Sequence, residues 1–212
     1  MASAIIHMAI AKKVNKKLNR DERIVLLGGI APDLPKCIGE SKHKSHFYNN
    51  NDDRSGLDAF LKKYPNYLDS DYDTGYYIHL CSDYLWFNMF LPKIRNSSTK
   101  LTKFLDKSEK VLEEDDFVKL VYNDYMSLNI PLLDVYNLDL SLFYENFDIP
   151  NTVIEEVDIK NHCHDLFDKM GLLVKKSEDY KESYLFDINM IIDYVDECTN
   201  LILNELNNIK IK

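Results

Sequence analysis

The sequence predicts an all-α fold, a single-domain multi-helix bundle over residues 1–212, and three observations carry that expectation. Apolar residues recur at i, i+3, i+4 and i+7 along the chain, and no segment sustains the two-residue alternation of a half-buried strand. Six glycines and six prolines in 212 residues are too few for a turn-rich β architecture. A hydrophobic fraction of 45% at this length supplies a core without help from disulfides or metals.

The first predicted helix runs from Ala2 to Leu18, where His7, Ile10, Ala11, Val14 and Leu18 form one stripe and the lysines lie mostly off it. A second covers 21–29 and ends at Gly28-Gly29, before Ala31-Pro32-Asp33. Residues 33–55 read as loop, with Pro35, Gly39 and a polar run of Lys, Ser, His and Asn. A short helix over 56–63 stops at Pro65. Asp71 or Asp73 is expected to cap a long helix that runs to about Leu91 and ends at Pro92. These elements make a half of interest for chemistry, about 1–92. The helical remainder, about 93–212, is expected to hold helices near 97–108, 113–128, 131–146, 158–175 and 184–208, with breaks at Pro131, Pro150 and Gly171.

Twenty-six Lys and Arg against 35 Asp and Glu give a net charge of −9, so no nucleic-acid partner is expected. Eight of the acids fall in residues 120–159, which hold no Lys or Arg and read as a solvated surface, or as a face for a basic partner. Cys37, Cys81, Cys163 and Cys198 are scattered and form no CxxC pair. The apolar start of the chain precedes its lysines, the wrong order for a secretory signal, and no run approaches the roughly 20 residues of a transmembrane segment. The expectation is a cytoplasmic chain with free thiols.

The helix around residue 80 carries the strongest chemical signal. From Tyr76 to Leu91 it leaves almost no polar face, which marks it as buried. Within it His79 and Asp83 stand at i and i+4, one turn apart on one face, beside Tyr76, Trp86 and Phe90. A buried carboxylate must be paired, protonated or bound to metal. The choice lies between a His–Asp hydrogen bond in the core and a metal site. His7 sits on an apolar stripe, where a satisfied core histidine is the ordinary outcome; His43 and His46 fall in the polar run KHKSHF, where solvent exposure is. Asp33 reads as a turn or cap residue when taken alone. Together they place four histidines and two aspartates in the first 83 residues. Imidazole and carboxylate without thiolate suit a borderline divalent metal. His162, His164, Asp165 and Asp168 fall beside or opposite the apolar face of Ile159, Cys163, Phe167, Met170 and Val174, so a solvated surface is expected there.

The order His7 … GGIAPD ending at Asp33 … KSHF containing His46 … GYYIHLCSD containing His79 and Asp83 resembles the zinc-dependent phospholipase C family, which is similar in turn to the S1/P1 nucleases. The resemblance covers roughly residues 1–90. It implies a phospholipase C/P1 nuclease-like helical fold and metal-dependent hydrolysis of a phosphoester by activated water. The substrate would be a small phosphoester or a phospholipid headgroup. It also implies metal ligation by His7, Asp33, His46, His79 and Asp83, with Asp83 able to bridge two ions and Asp33 serving as general base. The family's later histidines and HxxxE pair have no counterpart, so the implied site is a smaller one, of one or two zinc ions. Tyr76, Tyr77, Tyr84 and Trp86 are candidates to line its pocket, with core packing the alternative. A non-catalytic metal-binding or interaction protein on the same scaffold is the competing reading.

Overall fold

The computed structural model describes residues 2–48, 55–95, 114–144 and 148–210, and every regular element among them is helical. Helix α1 (Ala4–Leu18) starts where the Ser3 hydroxyl accepts the Ile6 N–H and stops at Asn19, which takes the left-handed conformation. Asp21 caps α2 (Glu22–Ile30) in the same way, through the Ile24 N–H. A 3-10 turn at Ala31–Asp33 then leads into the short α3 (Leu34–Cys37). Helix α4 (Ser55–Lys63) precedes α5 (Asp71–Leu85), which continues through a π-helical segment, Trp86–Phe90, into a last helical stretch at 91–95. The remaining long helices are α6 (Glu114–Tyr136), α7 (Ile159–Ser177) and α8 (Ile188–Lys210).

Helices α2 and α5 form the heart of the molecule because glycines let their backbones touch. A β-carbon on Gly28 would lie 2.1 Å from the Tyr72 carbonyl oxygen, and one on Gly75 would lie 2.2 Å from that of Val25. Only residues without a side chain permit that approach. Helix α1 lies across this pair and also meets α6 and α8. Its inward stripe, from Ile5 to Val14, is fully buried in a hydrophobic cluster that runs from Ala2 to Leu206. Polar ties cross the same core. Asn129 of α6 accepts from the Ser3 hydroxyl and donates to that of Ser177 in α7, while the Tyr194 hydroxyl of α8 donates to the Ser82 carbonyl of α5.

Several expected boundaries move, each for a visible reason. Ser70, not Asp71 or Asp73, caps α5; Asp71 instead meets Arg20 at 2.8 Å, and Asp73 accepts from the Thr152 hydroxyl. The helix does not end at Pro92, because the π segment restarts the backbone pattern and places Pro92 in the first turn of 91–95, where a missing N–H costs little. Helix α6 runs through Pro131, held by Leu128 and Leu132, which are buried on either side of it. Helix α7 runs through Gly171, whose lack of a side chain makes room for Tyr144 to donate to the Phe167 carbonyl. Helix α8 starts at Ile188 rather than near 184 because the N–H groups of Tyr184, Leu185 and Phe186 are all taken by the Asp124 carboxylate. That aspartate belongs to the acidic stretch expected at the surface, yet it is fully buried and serves as a clamp. The helix expected at 97–108 lies outside the described residues, as do residues 145–147 of the one expected at 131–146; in the described part of the latter, a 3-10 turn at Leu140–Phe143 follows the end of α6. All four cysteines are free, and no helix among the described residues is long and apolar enough to cross a membrane.

Candidate metal centre

The five residues singled out in the sequence, His7, Asp33, His46, His79 and Asp83, come together where α1, α2 and α5 meet the 33–48 segment. Their placement follows from the glycine contact. His79 lies one turn beyond Gly75, and its Nδ1 donates to the Gly29 carbonyl at 2.8 Å, beside the other half of that contact. A carbonyl can only accept, so Nδ1 carries the proton and Nε2 presents a lone pair.

The same deduction holds for the other two imidazoles. Ser82 Oγ spends its one proton on the His79 carbonyl, so His7 Nδ1 must donate to that oxygen, at 2.6 Å. Ser45 Oγ has two carbonyls to donate to, Pro32 and Lys42, so His46 Nδ1 donates to Ser45 Oγ at 3.0 Å. Each ring nitrogen facing away from the centre is thereby anchored to protein, the arrangement that fixes tautomer and ring orientation in metal-binding histidines.

The inward atoms crowd together. His46 Nε2 lies 3.2 Å from His79 Nε2, 3.6 Å from Asp33 Oδ1 and 3.4 Å from Asp83 Oδ2. His79 Nε2 lies 3.9 Å from both of those oxygens. The ligand atoms of a tetrahedral zinc site, with bonds of about 2.0–2.1 Å, stand about 3.3–3.4 Å apart. Asp33 Oδ1, His46 Nε2 and His79 Nε2 therefore stand near the spacing of ligands on one such ion and form one group whose atoms lie within 4.8 Å of one another. A second group of three, His7, His79 and Asp83, shares His79: His7 Nε2 stands 3.3 Å from Asp83 Oδ1, and its ring stacks on His79 with centroids 3.9 Å apart.

These groups are poorly satisfied by protein alone. His7 Nε2 and Asp83 Oδ2 are buried and make no hydrogen bond. Burial, with His7 beside it, pushes the His79 imidazole well below its usual 6.5, so the ring is neutral and an acceptor. Burial raises the Asp33 carboxyl, but His79, Lys42, His46 and His7 outweigh it and hold the group at about 2. Asp83 is likewise driven up by burial and brought well below the usual carboxylate range by the His46 and His7 imidazoles. Ionised carboxylates and imidazole lone pairs converging in a buried site are the donor set a divalent cation satisfies, and the residues present fit one.

The remaining candidates divide cleanly. His46 and Ser45 are buried although their segment is polar and was expected to be exposed loop: Ser45 bonds back to Pro32, and Tyr76 donates to the Ser45 carbonyl at 2.6 Å. His43 is exposed, as are His164 and Asp168, while His162 pairs with Asp165 at 2.8 Å on the outer face of α7. None joins the two groupings close enough to share an ion. Tyr76, Tyr77 and Trp86 are core residues; Trp86 packs with Phe90, Phe186 and Tyr194. Tyr84 alone of the four aromatic candidates lines an opening to the site, a cleft of about 30 Å³ shared with His46 and Asp83, room enough for a water molecule.

Sequence reasoning missed the supporting groups. Lys42 meets Asp33 Oδ1 at 2.7 Å, and Ser45, Ser82 and the Gly29 carbonyl orient the imidazoles. A serine directly before His46 and another three residues after His79 were the available signals. No protein-family model, curated protein or solved structure matches this chain.

Proposed function

We propose that this protein is a metal-dependent phosphoester hydrolase whose metal is held by Asp33, His46 and His79, with His7 and Asp83, beside His79, forming the place for a further ion. The observation that carries this reading is the close spacing of Asp33 Oδ1, His46 Nε2 and His79 Nε2, with both imidazoles already anchored in the ligand tautomer. A divalent ion there acidifies water near neutral pH and offsets charge on a phosphoryl oxygen. Zinc is the ion that imidazole nitrogens and a carboxylate oxygen at these spacings suit best.

The chain's own groups set what happens around that ion. A carboxyl held at about 2 accepts a hydrogen bond well and a proton poorly, so Asp33 serves this chemistry by aligning a water for in-line attack. Lys42 keeps Asp33 ionised and adds positive charge beside the phosphoryl position. The buried anchors Ser45, Ser82 and Gly29 hold the three rings so that little reorganisation is needed at the moment of reaction.

The competing reading, a metal-binding protein without turnover, has one observation in its favour: Lys42 already occupies Asp33 Oδ1. Metal analysis and hydrolysis of generic phosphodiester and phosphomonoester substrates, for wild type beside His79→Ala, separate the two. Metal in wild type, little in the variant, and turnover only in wild type support the hydrolase. Metal without turnover favours the binding protein, and equal metal in both proteins sinks the site.

A further inference from the structure

A cavity of about 320 Å³, sharing no lining residue with the Tyr84 cleft, reaches the candidate metal centre with Asp33 in its wall. That volume lies at the lower end of the roughly 300–1,000 Å³ of small-molecule sites. Its floor is apolar. Leu166 and Met170 of α7 are buried there, and Tyr125 of α6 faces them. Its rim is cationic. Lys169 and Lys176 stand seven residues apart on the same face of α7, and Lys36 reaches in from α3 with its ammonium 5.5 Å from the Tyr122 ring. Long lysine stems lie along apolar surface and leave their charges at the mouth. The acid lining this cavity is Asp33, whose charge Lys42 already opposes at 2.7 Å. In a chain of net charge −9, the space beside the metal centre is therefore positive.

We infer that this cavity takes the apolar group of an anionic phosphate ester and selects it over a zwitterionic one. Three ammonium groups at the mouth repel the quaternary ammonium of a choline-type headgroup, and the exposed ring that could attract it, Tyr122, already carries the Lys36 ammonium 5.5 Å from its centroid. A phosphate monoester meets them with up to two negative charges, and an aliphatic or aromatic substituent then covers Leu166, Met170 and Tyr125. The occupant is a single soluble molecule, because a closed apolar floor of this size buries one chain rather than a bilayer surface. The inference rests on the hydrolase reading for what becomes of the phosphorus, but not for binding.

The test is calorimetric titration of the zinc-loaded full-length protein with decyl phosphate, methyl phosphate and decylphosphocholine, the decyl ligands below their micellar concentrations. Decyl phosphate is expected to bind at least about tenfold more tightly than either of the others. In Lys36→Gln/Lys169→Gln/Lys176→Gln, whose exposed positions should leave zinc content and the circular dichroism spectrum unchanged, the preference over decylphosphocholine is expected to disappear. Equal affinity for the two decyl ligands overturns the proposal. So does a preference that survives in the triple variant, or binding to phosphatidylglycerol vesicles without binding to monomeric decyl phosphate. The two readings fail separately. Selective binding without turnover defeats the hydrolase and leaves the cavity assignment; turnover without charge preference does the reverse.

Discussion

At the scale of single residues, the site is a set of buried groups that could hold a cation. His79 is neutral because burial disfavours its charged form, and Asp33 is ionised because its neighbours overcome burial. Both carry a pH signature in the metal-free protein. A histidine depressed below 6.5 contributes stability that is present above that pH and is lost as pH falls through its folded value. Asp33, lowered from 3.8 to about 2, contributes stability present above 3.8 and lost on acidification towards 2. Urea unfolding of metal-free protein should therefore show stability falling below about pH 6.5 and again between pH 3.8 and about 2, with the upper decline shallower in His79→Gln. A wild-type profile flat from pH 7 to 5 would contradict this account. The residue types themselves were legible in the sequence: an i, i+4 His–Asp pair on a helix without a polar face must be buried, and a buried carboxylate needs a partner. What the sequence hid was which ring nitrogen faces inward, because Ser45, Ser82 and Gly29 settle that through contacts between segments far apart in the chain.

At the scale of elements, the contact between α2 and α5 decides the site. Gly28 and Gly75 were visible as glycines, but the sequence offered Gly28 only as a helix end, and it is in fact inside α2. Pattern reasoning places helices by their own periodicity and cannot see that two backbones touch. Gly75→Ala sets a β-carbon against the Val25 carbonyl and must push the helices apart, with an expected loss of about 1–3 kcal/mol. Because His79 is one turn away, zinc affinity should fall as well, by roughly the 10–100-fold seen when orienting contacts are lost. Gly39→Ala is the comparison: Gly39 has φ of +79° and nothing near its β-position, so it should lose some stability to backbone strain and keep its zinc affinity. Denaturation and zinc titration of both variants check this, and an unchanged zinc affinity in Gly75→Ala would show that the helix spacing does not set the site. The displaced helix boundaries have the same origin in tertiary contact. Asp124 withholds three N–H groups from α8, and the π segment carries α5 beyond Pro92.

At the scale of the whole molecule, the two halves do different things. All five candidate ligands lie between residues 7 and 83, whereas the cavity against them is walled largely by residues of α6 and α7, from Tyr122 onward. The first half announces itself in sequence because histidine and aspartate are chemically conspicuous. The second does not, because lysines and leucines on a helix look like any amphipathic surface until folding places α7 against α3. An ion that binds the folded chain and not the unfolded one must stabilise the whole. At a thousandfold excess of free zinc over its dissociation constant the gain is about 4 kcal/mol, or roughly 10 °C in melting temperature for a chain of this size. Calorimetric melting with and without zinc should show that rise in wild type and not in His46→Ala; equal shifts in both would place the ion elsewhere.

The glycine contact also has a meaning for descent. Where helices are spaced by interlocking side chains, every substitution in the seam risks moving the residues it supports. Here the spacing is backbone on backbone at Gly28 and Gly75, so it is set apart from the side chains that face the centre. Mutation can exchange one donor for another, and so one metal or one chemistry for another, while the frame that aims it stays in place.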